Sequence, residues 1–368
     1  MDTRFEIFLV AVPGLEGALC GEARECGFEG ARVVPGGVAF EGGWPEAMRA
    51  NLELRGASRV LVRIASFRAM HLAQLDKRAR KVPWGDFLRA DVPVSVEATC
   101  RKSRIYHAGA AAQRVVRAIA EELEAPVAED APVKIKVRIE DDLCTISIDT
   151  SGEGLHRRGH KQAVNKAPMR ETLAALFLRQ CGFDGSEPVL DPMCGSGTFV
   201  IEAAEMAAGL MPGRARSFAF ELLKGFDAQA WAEMRKRAQP KTPSVRFHGS
   251  DRDAGAVRMS RENAERAGVE AFCTFEQRSV GEIVPPDGPA GLVIINPPYG
   301  ARLGERQKLF PLYREMGQVL TARFSGWRVG LIAADATLAK ATGLPFLPPG
   351  KPVDNGGISV TLWRTGVL

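Results

Sequence analysis

The sequence predicts an α/β protein: a doubly wound, mostly parallel sheet in the carboxyl-terminal part, preceded by an α+β region. Three observations carry this. From residue 169 onward, apolar runs of strand length alternate with stretches of helical spacing over about 200 residues, as stacked βαβ units require. The run 188–191 passes through a two-glycine turn into a helix-like segment, and the run 291–295 is continuously apolar, as in a strand covered on both faces. Before residue 150 the pattern is mixed, with strands that alternate apolar and polar side chains.

In chain order, residues 4–12 alternate (Phe5, Ile7, Leu9) and then run apolar, a strand that Pro13-Gly14 ends. A helix over 15–26, a hairpin of 31–34 with 37–40, a helix over 44–54 and a strand over 59–67 complete an α+β module, residues 1–66. A second module, 67–150, reads as helix 72–81, strand 93–98, helix 110–123 and strands 133–140 and 143–148. It carries two basic clusters, Lys77-Arg78-Ala79-Arg80-Lys81 and Arg101-Lys102-Ser103-Arg104, the second followed by Tyr106 and His107. One such cluster is usually a solvated face; two beside an aromatic favour contact with a phosphate backbone.

The stretch Pro188-Val189-Leu190-Asp191-Pro192-Met193-Cys194-Gly195-Ser196-Gly197-Thr198 is a strand, a loop and the start of a helix. Gly195 and Gly197 permit positive φ and close approach of a ligand, and the helix start offers unpaired N–H groups. In an open α/β sheet this is where a nucleotide-like ligand binds. A P-loop needs Gly-Lys-Ser/Thr after the turn, whereas Gly197 is followed by Thr198-Phe199; the dinucleotide fingerprint needs a third small residue where Val200 stands. S-adenosylmethionine, with a ribose and a charged amino-acid tail but no phosphate, suits the turn. By itself, a Gly-x-Gly is equally a plain turn.

The run 291–295 ends in Asn296-Pro297-Pro298-Tyr299-Gly300. Two prolines stiffen this corner. The Asn296 side-chain oxygen and the Pro297 carbonyl can accept hydrogen bonds from an exocyclic NH₂ and turn its lone pair toward a donor methyl, while Tyr299 stacks on the ring. Such a reaction needs geometry more than a strong base.

With Asp191-Pro192-Met193-Cys194-Gly195-Ser196-Gly197-Thr198 and Asn296-Pro297-Pro298-Tyr299, the chain resembles the class I methyltransferases that act on amino nitrogens. Adding Leu155-His156-Arg157-Arg158-Gly159-His160-Lys161 and the run from Ala167-Pro168-Met169-Arg170-Glu171 to Ala175, it is similar to the THUMP-domain RNA guanine-N2 methyltransferases, most of all to the amino-terminal half of the bacterial large-subunit (23S) ribosomal RNA enzymes. The likeness is specific over about 152–304. It implies a Rossmann-like class I methyltransferase domain over 169–368, a ferredoxin-like module over 1–66, and a THUMP-like RNA-binding domain over 67–150. It also implies S-adenosyl-L-methionine as cofactor and an RNA partner, large-subunit rRNA ahead of tRNA. In that family, the region of Arg170 and Glu171 caps the cofactor pocket, and Pro192, Cys194 and Thr198 belong to the cofactor turn. An aspartate usually binds the adenine amine where this chain has Ser279. The hydroxyl of Ser279 or the backbone of Val280 is left to replace it.

The remaining elements follow. Residues 151–168, rich in glycine and cations, form a basic linker, expected as a strap near substrate phosphates; His156 and His160 lack further ligands for a metal, so none is expected. A helix spans 172–180. A strand over 244–249 leads to Ser250-Asp251-Arg252-Asp253 and a helix over 254–267; Asp251 is the candidate for the ribose hydroxyls and Asp253 for the helix cap, although either residue can cap. The strand 271–277, a helix over 305–324 and strands 327–334 and 358–363 complete the sheet, with Cys194 read as a packing residue.

Composition limits the alternatives. The 368 residues suffice for two or three domains, and 45% hydrophobic with 25% charged residues is ordinary for a globular chain. The net charge of +5 is compatible with a polyanionic partner. Seven cysteines without a Cys-x-x-Cys pair suggest reduced thiols in a cytoplasm, the amino terminus is too charged for a secretion signal, and no apolar run reaches membrane-spanning length. The four-residue corner also fits N6-adenine methylation of DNA or methylation of a protein glutamine, and the layout alone fits a non-catalytic RNA-binding protein; the amino-terminal modules favour RNA, and the presence of Asp251 and Asn296 favours an enzyme.

Overall fold

Two seven-stranded sheets organise the protein, which the computed structural model describes over residues 4–162, 169–300 and 303–368. The chain forms two compact units. One takes in the chain up to Ala11, then Cys20–Leu155 and Arg216–Arg237; the other comprises Val12–Leu19, His156–Ala215 and Ala238–Leu368.

The first unit is built on β1 (Phe5–Val10), β2 (Arg32–Val34), β3 (Gly37–Gly42), β4 (Arg59–Arg68), β5 (Val94–Arg101), β6 (Val133–Glu140) and β7 (Leu143–Asp149). Their order is β2-β3-β1-β4-β7-β6-β5, so the two modules that the sequence separates near residue 66 share one continuous sheet. The join is β4, which pairs antiparallel with β1 on one edge and with β7 on the other. Only β5 and β6 are parallel, and the helix Ala108–Leu123 makes the crossover between them.

Residues 216–237, which the sequence assigns to the carboxyl-terminal domain, pack within this first unit. Within the segment Phe218 stacks on Phe220 at 5.2 Å and Trp231 meets Phe220 edge-on at 4.9 Å, and hydrogen bonds tie this cluster to the residues that follow β7. The Phe220 N–H donates to the Thr150 carbonyl, and the Arg216 guanidinium donates to the carbonyls of Ser151, Glu153 and Gly154.

The second unit carries β8 (Val189–Asp191), β9 (Phe247–Asp251), β10 (Cys273–Gln277), β11 (Leu292–Ile295), β12 (Arg328–Ala333), β13 (Val353–Asn355) and β14 (Ile358–Arg364) in the order β10-β9-β8-β11-β12-β14-β13. The first five run parallel; β14 is antiparallel to β12, and β13 to β14. All of β8 and β11 is buried, as expected of strands covered on both faces. Strand order reverses at β8, with β9 on one side and β11 on the other, the position at which open α/β sheets bind ligands beyond the carboxyl ends of their strands. β9 begins later than the sequence suggests and runs to Asp251, so that carboxylate ends the strand itself. β13 was not foreseen. Among the described residues, no helix is long and apolar enough to cross a membrane.

Candidate active site at the carboxyl ends of β8, β9 and β11

Register brings the two singled-out stretches side by side. Leu190 pairs with Val293 across β8 and β11, so Asp191 and Asn296 leave the ends of adjacent parallel strands. On the other flank Asp191 pairs with Gly249, and Asp251 follows two residues on.

The turn after β8 is held from within. Asp191 Oδ1 accepts the Met193 N–H at 3.0 Å, the Gly197 N–H donates to the Cys194 carbonyl at 2.7 Å, and the Cys194 N–H donates to the Ser250 carbonyl at 2.9 Å. Pro192 is buried beside them. Gly195 and Gly197 have φ of +56° and +82°, where a side chain is strained. A Cβ on Gly195 would meet nothing within 4 Å, so this residue presents bare backbone to open space. A Cβ on Gly197 would lie 3.1 Å from Ser260 on the helix Ala254–Ala267. One glycine faces open space; the other permits packing. Thr198 then opens the helix Thr198–Ala207.

Burial, with the nearby Asp251 carboxylate adding to it, pushes the Asp191 carboxyl up to about 8. Burial and Asp191 likewise push the Cys194 thiol far above its usual range, so the thiol stays protonated and packs, with Sγ 3.6 Å from Ser260 Oγ.

Asp251 Oδ2 accepts the Gly195 N–H at 3.1 Å and Oδ1 accepts the Asp253 N–H at 3.0 Å, leaving two of its four acceptor positions for a diol. Asp253 caps the following helix through the Gly255 N–H at 2.9 Å. At the end of β10, Ser279 is part of a capping box: its hydroxyl donates to Glu282 Oε2 at 2.7 Å and its N–H donates to the same oxygen at 3.0 Å. These two bonds hold the Glu282 carboxyl below its ordinary value. Val280 is buried beside it.

In the corner after β11, Pro297 is buried, Pro298 exposed, and Asn296 and Tyr299 half-buried. The Tyr299 hydroxyl donates to Asn296 Oδ1 and accepts from Asn355 Nδ2 at 3.2 Å. The fully buried Tyr313 donates its hydroxyl to the Pro298 carbonyl at 3.2 Å. Burial pushes the Tyr299 hydroxyl up to about 12, so it remains protonated and able to donate.

In the segment read as a phosphate strap, Arg158, His160 and Lys161 are turned inward while Arg157 is exposed. Arg158 lies buried against Glu202 at 2.6 Å and Glu205 at 3.5 Å, both on the helix Thr198–Ala207, and buried His160 has Nδ1 3.9 Å from Glu205. Burial lowers the His160 pKa, which favours the neutral ring. Lys161 Nζ is 3.3 Å from the Glu171 carboxylate and donates to Thr198 Oγ1 at 2.9 Å and to the Met169 carbonyl at 2.7 Å. Glu171 is therefore engaged by a lysine, and Arg170 stands exposed at the N-cap position of the helix Glu171–Gln180. Two buried glutamates on the motif helix draw Arg158 in, and Glu171 draws in Lys161, partnerships the linear pattern does not display. Residues 163–168 of the linker, Pro168 included, lie outside the described residues.

In the first unit, Tyr106 is 85% exposed, among exposed Arg101, Lys102 and Arg104. In the other basic cluster Arg80 is committed to Asp76 and Glu121, leaving Lys77, Arg78 and Lys81 on the surface.

The residues that sequence reasoning missed are Asn355, Tyr313, Ser260 and Glu282, while Lys161, read as part of the strap, binds Glu171 instead. For Asn355 a signal existed, since Asn355-Gly356-Gly357 is a hairpin turn in the making.

Three family models match this chain: an RlmL ferredoxin-like domain over residues 6–61, a THUMP domain over 69–149, and an RMKL-like methyltransferase domain over 158–361. The chain is 34% identical over 352 residues to "Ribosomal RNA large subunit methyltransferase K/L" of Psychromonas ingrahamii, covering 92% of this chain and 47% of that protein. It spans about half the length of the curated relatives it matches. Among solved structures it is similar to a "predicted N6-adenine-specific DNA methylase" from Listeria monocytogenes, with 30% identity, a TM-score of 0.88, and coverage of 100% of this chain and 97% of that one. It is also similar to SMU.472 complexed with SAH, with 27% identity, a TM-score of 0.89, and coverage of 100% and 99%.

Proposed function

Because the chain belongs to the RMKL-like methyltransferase domain family, whose model spans residues 158–361, we propose that it transfers the methyl group of S-adenosylmethionine to the exocyclic N2 amine of a guanine in structured RNA, with large-subunit rRNA ahead of tRNA. The observation that carries this reading is the register of β8 with β11, by which the glycine turn and the Asn296–Tyr299 corner leave neighbouring strand ends. The residues fit the cofactor: Gly195 offers backbone with open space before it, Asp251 has acceptor positions for ribose hydroxyls, and the turn has no phosphate-binding lysine. Ser279 and Val280 border the adenine, Asp191, Pro192, Cys194, Gly197 and Thr198 shape the turn, and Arg170 and Glu171 close the far side.

The cofactor supplies an electrophilic methyl on a sulfonium. Asn296 Oδ1, with one lone pair taken by Tyr299, and the Pro297 carbonyl accept the two N–H bonds of the guanine amine and aim its lone pair. Tyr299, anchored by its hydroxyl, offers a ring face to the base. With the cofactor held by these residues, its C–S bond would break as the N–C bond forms, and the amine, made acidic by alkylation, would release its proton to solvent. Orientation provides most of the acceleration. The base must leave its stack to reach the methyl.

The 67–150 module, with Tyr106 and its exposed cations, docks the RNA, and the 1–66 module extends the same sheet. The setting is the cytoplasm, with the seven cysteines as free thiols.

The test is incubation of the protein with labelled cofactor and, in separate reactions, total RNA, DNA and protein from a strain lacking it, followed by mapping of the labelled nucleoside or amino acid. N2-methylguanosine in large-subunit rRNA supports the reading. Label in tRNA moves the substrate, label only in DNA adenine or protein glutamine replaces it, and no transfer leaves an RNA-binding protein.

A further inference from the structure

We propose that Asn355, at the end of β13, is a positioning residue for the amine-binding corner: by donating to the Tyr299 hydroxyl it directs that hydroxyl's proton onto Asn296 Oδ1, and so fixes which end of the Asn296 carboxamide meets the substrate. This rests on the amine-methylation reading above.

Hydrogen-bond polarity decides the orientation of the Asn296 side chain. A carboxamide has an acceptor end and a donor end of nearly the same shape, so packing alone does not choose between two orientations related by a half-turn. For Asn296 the choice decides the chemistry: an oxygen toward a substrate NH₂ accepts from it, whereas an NH₂ group there sets donor against donor. A tyrosine hydroxyl has one proton to give. The Asn355 Nδ2 group can only donate, and it reaches the Tyr299 oxygen at 3.2 Å. The hydroxyl proton is thereby left for Asn296, whose Oδ1 is the atom that faces the hydroxyl. The polarity runs Asn355 to Tyr299 to Asn296, and the second lone pair of Asn296 Oδ1 remains for the substrate.

The support is rigid. Asn355 is only 8% exposed and pairs with Ile358 across a two-residue turn, Gly356-Gly357, with φ of +64° and +87°. Asp354 Oδ1 accepts the Gly357 N–H at 3.0 Å and closes the turn. From the other side, Tyr313 holds the Pro298 carbonyl at 3.2 Å. The corner is thus braced by a hairpin and by the helix Leu303–Arg323, and only the hairpin's contact sets a polarity.

The experiment compares N355A and N355D, each alone and with Y299F, in single-turnover methyl transfer to RNA, with cofactor Kd and thermal melting in parallel. Aspartate keeps the shape but offers an acceptor, so it reverses the chain and turns the Asn296 NH₂ toward the substrate. Expected are a loss of transfer rate of up to about 10-fold in N355A, a larger loss of roughly 10- to 100-fold in N355D, and cofactor Kd within about twofold of wild type. In the Y299F background, neither substitution causes further loss, because the group it acts through is gone. A side chain that merely fills space predicts the reverse order, with alanine worse than the isosteric aspartate, and equal losses in both backgrounds; either result overturns the proposal, as does a matching rise in cofactor Kd. A wild-type protein inert on RNA overturns the methylation reading and this inference together, whereas an active wild type with an unaffected N355D overturns this inference alone.

Discussion

The Asp251 carboxylate accepts the Gly195 N–H at 3.1 Å, so the residue that ends β9 is tied to the turn that leaves β8. Asn296, on the opposite flank of β8, has no part in that tie. The two residues should therefore fail differently. Asp251→Ala loses both the ribose acceptors and the support of the turn, and cofactor affinity should fall roughly 10- to 100-fold, the worth of a lost charge-assisted hydrogen bond. Asn296→Ala should retain cofactor affinity while transfer falls on the order of 10²- to 10³-fold. Isothermal titration with single-turnover kinetics separates them; equal loss of cofactor binding in both variants removes this division of roles.

Gly195 and Gly197 share left-handed backbone but not surroundings. Alanine at either position carries roughly 1–2 kcal/mol of strain. At 197 its methyl also meets Ser260 at 3.1 Å, adding about 1–3 kcal/mol of overpacking, whereas at 195 it enters open space. Gly197→Ala should lower the urea midpoint the more, and Gly195→Ala should weaken cofactor binding the more. The opposite ranking would show that the ligand lies elsewhere.

What could be read in the chain divides along sequence distance. The strand–turn–helix at 188–204 and the corner at 296–300 were legible because each is written in consecutive residues whose backbone preferences point the same way. Asn355 was not, because it meets Tyr299 across 56 residues, and neither was Arg158, whose partner Glu202 lies 44 residues on. A basic, glycine-containing segment looks solvated until its counter-charges are located. The single sheet through β4 escaped notice for a related reason, since pairing on a strand's second edge leaves no mark on its alternation. Likewise, the placing of 216–237 depends on hydrogen bonds from Arg216 to carbonyls 62 to 65 residues away.

The buried Asp191 sets a pH dependence with a definite sign. Its carboxyl titrates at about 8 in the folded protein and near 4 when unfolded, so between those values the folded state holds a proton that the unfolded state has released. Its contribution to stability is complete below about pH 4 and is lost as pH rises toward 8, by up to about 1.4 kcal/mol per unit. Asp191→Asn keeps an oxygen for the Met193 N–H and has nothing to titrate. Relative to wild type, it should gain stability steadily between pH 5 and 8 in urea unfolding. His156, His160 and His248, whose pKa values burial lowers, act in the opposite direction but cancel in this difference. A difference that does not vary with pH would mean that Asp191 is ionised in the folded state.

Ser279 stands where the resembling family has an aspartate, and Glu282 already places a carboxylate oxygen 2.7 Å from its hydroxyl. Simple restoration, Ser279→Asp, would set two carboxylates within hydrogen-bond distance, forcing one to take up a proton or swing away. Cofactor affinity should therefore stay the same or fall in Ser279→Asp, rather than rise. The double variant Ser279→Asp/Glu282→Gln removes the repulsion, lets the glutamine amide donate to the new aspartate, and leaves a carboxylate oxygen for the adenine amine. It should bind the cofactor several-fold more tightly than Ser279→Asp, about 1 kcal/mol for one regained hydrogen bond. Calorimetric titration of the four proteins closes the cycle, and additive effects would show that Glu282 and residue 279 act independently.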